Sequence, residues 1–393
     1  MPGEPLEVVP GRSLGIFRLG DTLWQILDLL RTHRTDYPKL DISWDPDNPH
    51  KSAVTIHLPH ITLLFPSSLR QRLELIRIPD IPELVYQTQV LSSSNQRLTR
   101  ARVGRILGPT FEGKDNGKLD YPGIAFDLGG SGRDDLVEAI TITPKDDGSG
   151  DDGYSVVVKP NQGVTIQLPD PLDIVIHQTT AQDLLLDLGP PLRKFWKEDD
   201  RLQKMWGGEA VHGGCKADSE LNPLGCTLSF GIGFWNYFQY GMDFLIVDGK
   251  VKKVLLHSNI PGTPLFQRYA RCPWTLPSSS GSLDYTSPLS AFRSNLTSKV
   301  AYDEIQLALP PMPVVVSGKK SKKRTPSPND VDTAPPTPET PLDAMILDRV
   351  VEGGLEGVVG MGCSKLIAFE GIILEVDEKS GGICSLLIWK EEE

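Results

Sequence analysis

The alternation of apolar and polar residues predicts one short structural unit several times along the chain. In residues 179–257, Thr179 and Thr180 stand where a helix needs an N-cap, and Ala181, Leu184, Leu185 and Leu188 follow at the spacing of one helix face. Gly189 and Pro190 stop that helix, because glycine accepts the left-handed cap and proline has no amide with which to continue. After a polar loop, FWNYFQYGMDFLIVDGKVKKVLLH sets two runs of strand formers around Asp248-Gly249, a pair suited to a two-residue hairpin turn. The unit reads as helix, tight stop, loop, antiparallel meander.

The same order recurs elsewhere. In residues 19–78, LGDTLWQILDLLRTH puts Leu23, Ile26, Leu27 and Leu30 on one helix face, and the strand-like runs KLDISW, AVTIHL, HITLLF and RLELIRI follow. In 97–128, RLTRARVGRIL runs into Gly108-Pro109 and YPGIAFDL succeeds it. In 302–389, YDEIQLALPPMPVVV ends a helix at Pro310 and Pro311, and FEGIILEVDEKSGGICSLLIW supplies the hairpin. A glycine precedes the apolar strand in three units, Gly123, Gly241 and Gly371, and His60 holds that place in the first. A glycine entering a strand marks a bulge or a close backbone approach. The fold class expected is α+β, three to four helix-plus-antiparallel-meander modules with an insert in the last. The segments are 1–95, 96–172 with an acidic loop, 173–275, and 276–393.

Within the last segment, residues 317–341 are rich in proline and hydroxyl side chains and hold no aromatic residue. Such a stretch cannot bury enough surface to offset its chain entropy, so it is expected to be disordered. The Ser- and Gly-rich residues 276–289 read as the joint between the third and fourth modules.

Charge and cysteine content narrow the partners. A net charge of −11 opposes nucleic-acid binding across the surface, which would need a basic face. Cys215, Cys226, Cys272, Cys363 and Cys384 are odd in number and scattered, as expected of reduced intracellular thiols and not of a disulfide framework. No signal peptide or membrane-spanning run is expected from the sequence.

Five basic residues, Lys319, Lys320, Lys322, Lys323 and Arg324, stand together in the insert. They suit a nuclear localisation signal or contact with an anionic membrane, and equally a linker that is simply well solvated. Thr325, Ser327, Thr337 and Thr340 each precede proline and are candidates for phosphorylation, which would offset the basic run.

Catalytic and metal motifs are weak. His212, Cys215 and Cys226 supply three zinc-type ligands without a fourth, and Asp146, Asp147, Asp151 and Asp152 lack calcium-loop spacing. Gly129-Gly130-Ser131-Gly132 is not followed by a phosphate-binding lysine, and neither a nucleophile elbow nor a nucleophile–base pair is evident. The expectation is a protein without catalytic residues, cofactor or metal. The aromatic strand of the third module, with Trp235, Tyr237, Phe238 and Tyr240 followed by His257 and Asn259, is expected to lie either in the core or against a partner. Trp235, Tyr237, Tyr240, His257 and Asn259 are the partner-binding candidates.

Three blocks carry a resemblance: LEVVPGRSLG (Leu6–Gly15), DLLLDLGPPLRKFWKEDD (Asp183–Asp200) and, most specifically, FWNYFQYGMDFLIVDGKVKKVLLHSNIPG (Phe234–Gly262). They resemble the phagosome assembly factor 1 family, and the chain looks like a fungal member. The resemblance implies a non-enzymatic autophagy adaptor that pairs with a WD40 β-propeller protein of the breast carcinoma amplified sequence type. It implies a cytoplasmic protein, peripheral at the phagophore assembly site, with a link to the trans-Golgi network and with phosphoinositide contact made mainly by the propeller. The alternative is a lipid- or small-ligand-binding carrier in Golgi and endosomal traffic, its cavity lined by Trp24, Leu27, Phe65 or Phe244.

Overall fold

The computed structural model describes residues 5–109, 117–130, 132–145, 153–196, 232–279, 281–296, 344–349 and 362–391. The helix expected at 302–309, the insert 317–341 with its basic and phosphorylation candidates, His212, Cys215, Cys226 and the four aspartates of the acidic loop lie outside the described residues.

The first half begins with a meander of β1 (Leu6–Val9), β2 (Ser13–Leu14) and β3 (Phe17–Arg18). Helix α1 (Leu23–Thr32) follows, then a second meander of β4 (Asp41–Ser43), β5 (Val54–His57), β6 (Thr62–Phe65) and β7 (Leu75–Ile78). The half closes with the hairpin β8 (Leu84–Tyr86) and β9 (Gln89–Ser92), helix α2 (Arg100–Leu107), and β10 (Lys118–Tyr121), β11 (Ile124–Leu128) and β12 (Val137–Ile142). The second half repeats this order. Its opening meander is β13 (Ser155–Lys159), β14 (Gly163–Gln167) and β15 (Leu172–Val175), followed by helix α3 (Ala181–Asp187). The next meander comprises β16 (Arg193–Trp196), β17 (Gly233–Tyr237), β18 (Met242–Val247) and β19 (Lys250–His257). Then come β20 (Trp274–Ser278), β21 (Gly281–Leu283), helix α4 (Leu289–Asn295), β22 (Ala344–Arg349), β23 (Gly362–Phe369), β24 (Ile372–Asp377) and β25 (Ile383–Trp389).

The helix-plus-meander unit therefore occurs four times, joined two by two. β12 lies antiparallel to β7, with Ile140 opposite Ile78, so the first two units share one sheet in the order β10-β11-β12-β7-β6-β5-β4. β25 lies against β19 in the same way, with Leu256 opposite Leu386, and the sheet runs β16-β17-β18-β19-β25-β24-β23-β22. Each half adds a five-stranded sheet built on a parallel pair: β1 beside β8 in the first, β13 beside β20 in the second. A parallel pair needs a long crossover, and in both halves a helix and a four-stranded meander provide it. β13–β15 thus belong with β20 and β21, although they begin within the segment 96–172. The stretch 276–289, expected as a joint, instead holds β21, most of β20 and the first residue of α4, because β20 docks on the edge of β13 through Trp274 and Thr275 and β21 folds back on β20, with Leu276 opposite Leu283.

Local chemistry sets the helix ends. Thr22 and Thr180 each close a capping box, with Gln25 and Asp183 respectively, and Thr99 caps α2. Leu23, Ile26, Leu27 and Leu30 of α1 are buried in the first core with Phe65 and Phe126. Trp235, Tyr237, Phe244, Trp274 and Phe292 pack the second core.

The three strand-entry glycines are docking points. Gly123, at the tip of β10–β11, accepts a backbone bond from the amide of Gly11 in the β1–β2 turn (2.8 Å), and a Cβ there would strike that backbone. Gly371, at the tip of β23–β24, stands against Asn161 of the β13–β14 turn in the same way. Both have left-handed φ, 84° and 72°. Gly241 (φ 65°) touches the carbonyl of Ala270 and closes a single 3-10 turn over Phe238–Tyr240, which is why those residues leave the strand expected to contain them. His60 is exposed, so a side chain is tolerated there.

Candidate functional site: a polar stripe under the junction loop

One face of the eight-stranded sheet is the second core, and the other carries a buried row of polar side chains. Strand alternation turns Trp235, Met242, Phe244, Val254 and Leu256 to the core and Asn236, Asp243, His257, Ser385 and Glu375 to the opposite face. Asp243 is the hub. It accepts from Asn236 Nδ2 (2.8 Å), Tyr269 OH (2.8 Å) and His257 Nε2 (3.0 Å), and the Tyr269 ring stacks on the imidazole at 3.7 Å. Burial, then the neighbouring Asp243, push the Tyr269 phenol far above its ordinary range, so it stays protonated and donates. Glu375 accepts from Ser364 and Ser385, both at 2.7 Å.

The segment from Ser258 to Cys272, between β19 and β20, covers this stripe and ties the halves together. Asn259 Nδ2 donates to Gln71 Oε1 (2.9 Å), Trp24 Nε1 to the carbonyl of Arg268 (3.1 Å), and Arg31 to that of Gln267 (3.1 Å). Phe266 enters the first core and meets Trp44 edge-on. At the centre is Arg271, 3% exposed. Its guanidinium donates to the carbonyls of Ser258 (2.8 Å) and Ser68 (2.9 Å) and to Tyr285 OH (2.8 Å), and lies over the Tyr285 ring. Backbone carbonyls, not a carboxylate, satisfy this cation, and burial pulls its pKa down.

The sequence candidates separate accordingly. Trp235 and Tyr237 are interior, with Lys194 over the Trp235 ring and Tyr237 OH donating to the carbonyl of Gly189. Tyr240 is half-buried, and His257 and Asn259 are buried in the stripe and the junction. Of the cavity-lining residues imagined for a carrier, Leu27 and Phe65 are packed in the first core and Phe244 in the second, while Trp24 serves the junction. Asn236, Asp243, Tyr269 and Arg271 were not among the candidates. The signal for Asn236 and Asp243 is a lone Asn or Asp inside an otherwise apolar strand, as in FWNYF and MDFLIV, whereas Tyr269 and Arg271 lie in a loop and carry none.

Beside His257 lies a cavity of about 20 Å³, room for about one water molecule, lined also by Glu375, Asp377, Ser364 and Cys384. A histidine held by an aspartate next to a serine and a cysteine invites comparison with nucleophilic catalysis, but the contacts do not complete it. Ser364 donates to Glu375, Cys384 Sγ points to the carbonyl of Gly382 (3.8 Å), and His257 Nδ1 has no hydrogen-bond partner. Among the described residues no group of three or more His, Cys, Asp or Glu could hold a metal ion, and no helix is long and apolar enough to cross a membrane.

At the outer edge of the same sheet, β16 exposes Phe195, and two apolar side chains ahead of it in the chain are exposed too, Leu192 just before the strand and Leu186 on α3. Leu186 is 82% exposed, Leu192 56% and Phe195 53%.

Comparison with known proteins matches both halves. A family model described as Phagosome assembly factor 1 matches residues 13–143 and 172–387. A PHAF1 protein of Arabidopsis thaliana is 25% identical over 329 residues, covering 70% of this chain and 76% of that protein. One from Caenorhabditis elegans is 21% identical over 325 residues, covering 66% and 74%. A third, from Drosophila melanogaster, is 31% identical over 140 residues, covering 33% and 29%. No solved structure matches. With the greater part of both halves accounted for, the chain belongs to the phagosome assembly factor 1 family.

Proposed function

We propose that the chain is a non-enzymatic adaptor in autophagy that works with a WD40 β-propeller protein at the phagophore assembly site. The observation that carries this reading is family membership across both halves, which supports a role in phagosome assembly. The exposed apolar side chains Leu186, Leu192 and Phe195, the last on an edge strand, are the sort of surface a protein partner covers and support the reading. In this reading the protein is cytoplasmic and peripheral to membranes, with the trans-Golgi network as a second location. Phosphoinositide contact comes mainly through the propeller. The run Lys319, Lys320, Lys322, Lys323 and Arg324 adds weak attraction to anionic lipid that phosphorylation of Thr325, Ser327, Thr337 or Thr340 reduces.

Native affinity purification with mass spectrometry tests the proposal on wild type, a deletion of 318–341, and Phe195→Ser combined with Leu186→Ser. A stoichiometric propeller is expected with wild type and the deletion and is expected to be lost with the double substitution. A chain that elutes alone in every case rejects the adaptor reading.

A further inference from the structure

The two halves repeat one plan, but the outward faces of their large sheets differ. Opposite the first core, the row Asp41, His57, Thr62, Arg77, Thr141 and Ala125 crosses from β4 to β11, beside one apolar pair, Leu64 and Leu75. Opposite the second core, beyond the polar stripe, the strands carry Phe234, Leu245, Leu255, Leu387, Ile373 and Trp389 in adjoining register. Each of the six is half-buried and neighbours a core residue along its strand, so alternation turns it outward. None of them belongs to either core. Phe195, opposite Phe234 on the edge strand, is exposed and extends the patch. Lys253, paired in register with Leu245 and Trp389, and Arg193, opposite Asn236, are exposed on the same face. Neither forms an ion pair among the described residues. The carboxylates that the strands turn to this face, Asp243, Glu375 and Asp377, hold donors of their own.

An apolar sheet face of this kind is normally covered by a second layer. A strand laid flat on it would leave its backbone groups unpaired, whereas a helix pairs its own and offers an apolar stripe. From Phe234 to Ile373 the face spans five neighbouring strands, about 19 Å, the length of about 13 helical residues. Charge decides among the occupants. A second copy of the chain would bring the same cations to the interface without a free carboxylate to meet them. A bilayer meets the whole flank of a chain of net charge −11, whereas a short peptide feels charges within about 8–10 Å, where Lys253 and Arg193 lie. We propose that this face docks an acidic amphipathic helix of a protein partner, its apolar stripe on Leu245, Leu255 and Leu387 and its carboxylates on Lys253 and Arg193. This goes beyond the adaptor reading and does not depend on a propeller.

The test uses the full-length chain and a fluorescein-labelled peptide of about 14 residues, with leucines at i, i+3, i+4 and i+7 along one face and glutamates beside them. Fluorescence anisotropy reads the binding. Saturable binding is expected, lost in a scrambled peptide and roughly fivefold weaker where lysines replace the glutamates. Lys253→Glu combined with Arg193→Glu changes two exposed positions, so thermal unfolding should be unaltered while the charge preference inverts. Leu255→Ser should weaken the glutamate peptide roughly tenfold, whereas Leu186→Ser, on α3, should leave it unchanged. Absence of saturable binding overturns the proposal, as does equal affinity for the two charge forms. Retention of the wild-type chain on phosphatidylserine vesicles, abolished by Lys253→Glu, would make the face a lipid contact and overturn it too. So would a dimer in sedimentation that Leu255→Ser splits. The peptide is read without a propeller present, so its failure leaves the adaptor reading to its own test.

Discussion

Replacing Arg271 with alanine probes the junction directly. The guanidinium holds the carbonyls of Ser258 and Ser68 at 2.8 and 2.9 Å, one from each half. Without Arg271 the carbonyl of Ser258 loses its donor, at about 1–3 kcal/mol, whereas that of Ser68 keeps the amide of Gln71 (3.3 Å) and Tyr285 OH (3.2 Å). Packing over the Tyr285 ring is lost as well, and releasing a buried cation returns part of the sum, leaving a net loss of about 2 kcal/mol. For a cooperative unit of about 150–250 residues, the size of one half, the change corresponds to a fall in Tm of about 4–8 °C. Urea titration followed by tryptophan fluorescence is a suitable assay, because Trp24 and Trp44 report from the first half and Trp235 and Trp274 from the second. Loss of a bond that spans the halves should also separate their transitions. Arg271→Lys should recover little, since a lysine ammonium lacks the planar fork that reaches both carbonyls. An Arg271→Ala protein whose midpoint stays within about 0.5 kcal/mol of wild type would show that the junction does not rest on this cation.

Three further outcomes are expected. Gly371→Ala, at a left-handed position pressed on Asn161, should destabilise by about 1–3 kcal/mol or more, whereas His60→Ala, at the matching place in the first unit, should be silent in the same denaturation assay. Thr22→Ala removes the capping box of α1 and should cost about 1 kcal/mol, read as a drop in Tm; an unchanged Tm would count against the cap. Burial, then Lys51, pull the pKa of His50 below its ordinary value, against an opposing pull from Asp377. The fold therefore favours the neutral ring. That contribution is present above the usual histidine range, about 6.5, and is lost as pH falls through the lowered folded value. His50→Gln should flatten the decline in stability on acidification, and an unaltered pH profile would remove His50 from the account.

What could be read in the sequence was local. The threonine caps and apolar stripes of α1, α2 and α3 were visible because a helix is specified within one stretch of chain. Gly123, Gly241 and Gly371 stood out because only glycine meets a close backbone approach cheaply. Pairing between distant strands left no such mark. Nothing in RLELIRI announces that Ile78 lies opposite Ile140, so four units were visible and their union into two sheets was not. Helix α4 was hidden because it is short, begins at Pro288 without a side-chain cap, and buries mainly Phe292. The aromatic strand drew attention to Trp235 and Tyr237, whose size fits a core. The unusual residues were Asn236 and Asp243, polar groups on strands where burial needs partners that only the folded chain supplies.

The way β25 closes the second sheet has a consequence for synthesis. β19 ends at His257, and the strand that pairs with it begins at Ile383. In the first half the matching pair, β7 and β12, is complete once Ile142 has been made. A nascent chain can therefore finish its first sheet early, while Val254 and Leu256 wait for Ile388 and Leu386 with an open strand edge beside them. Arrested chains ending near residue 316 should show a protease-resistant first half and a protease-sensitive second half that binds chaperones. Equal resistance in both halves would mean that the second sheet forms without its last strand.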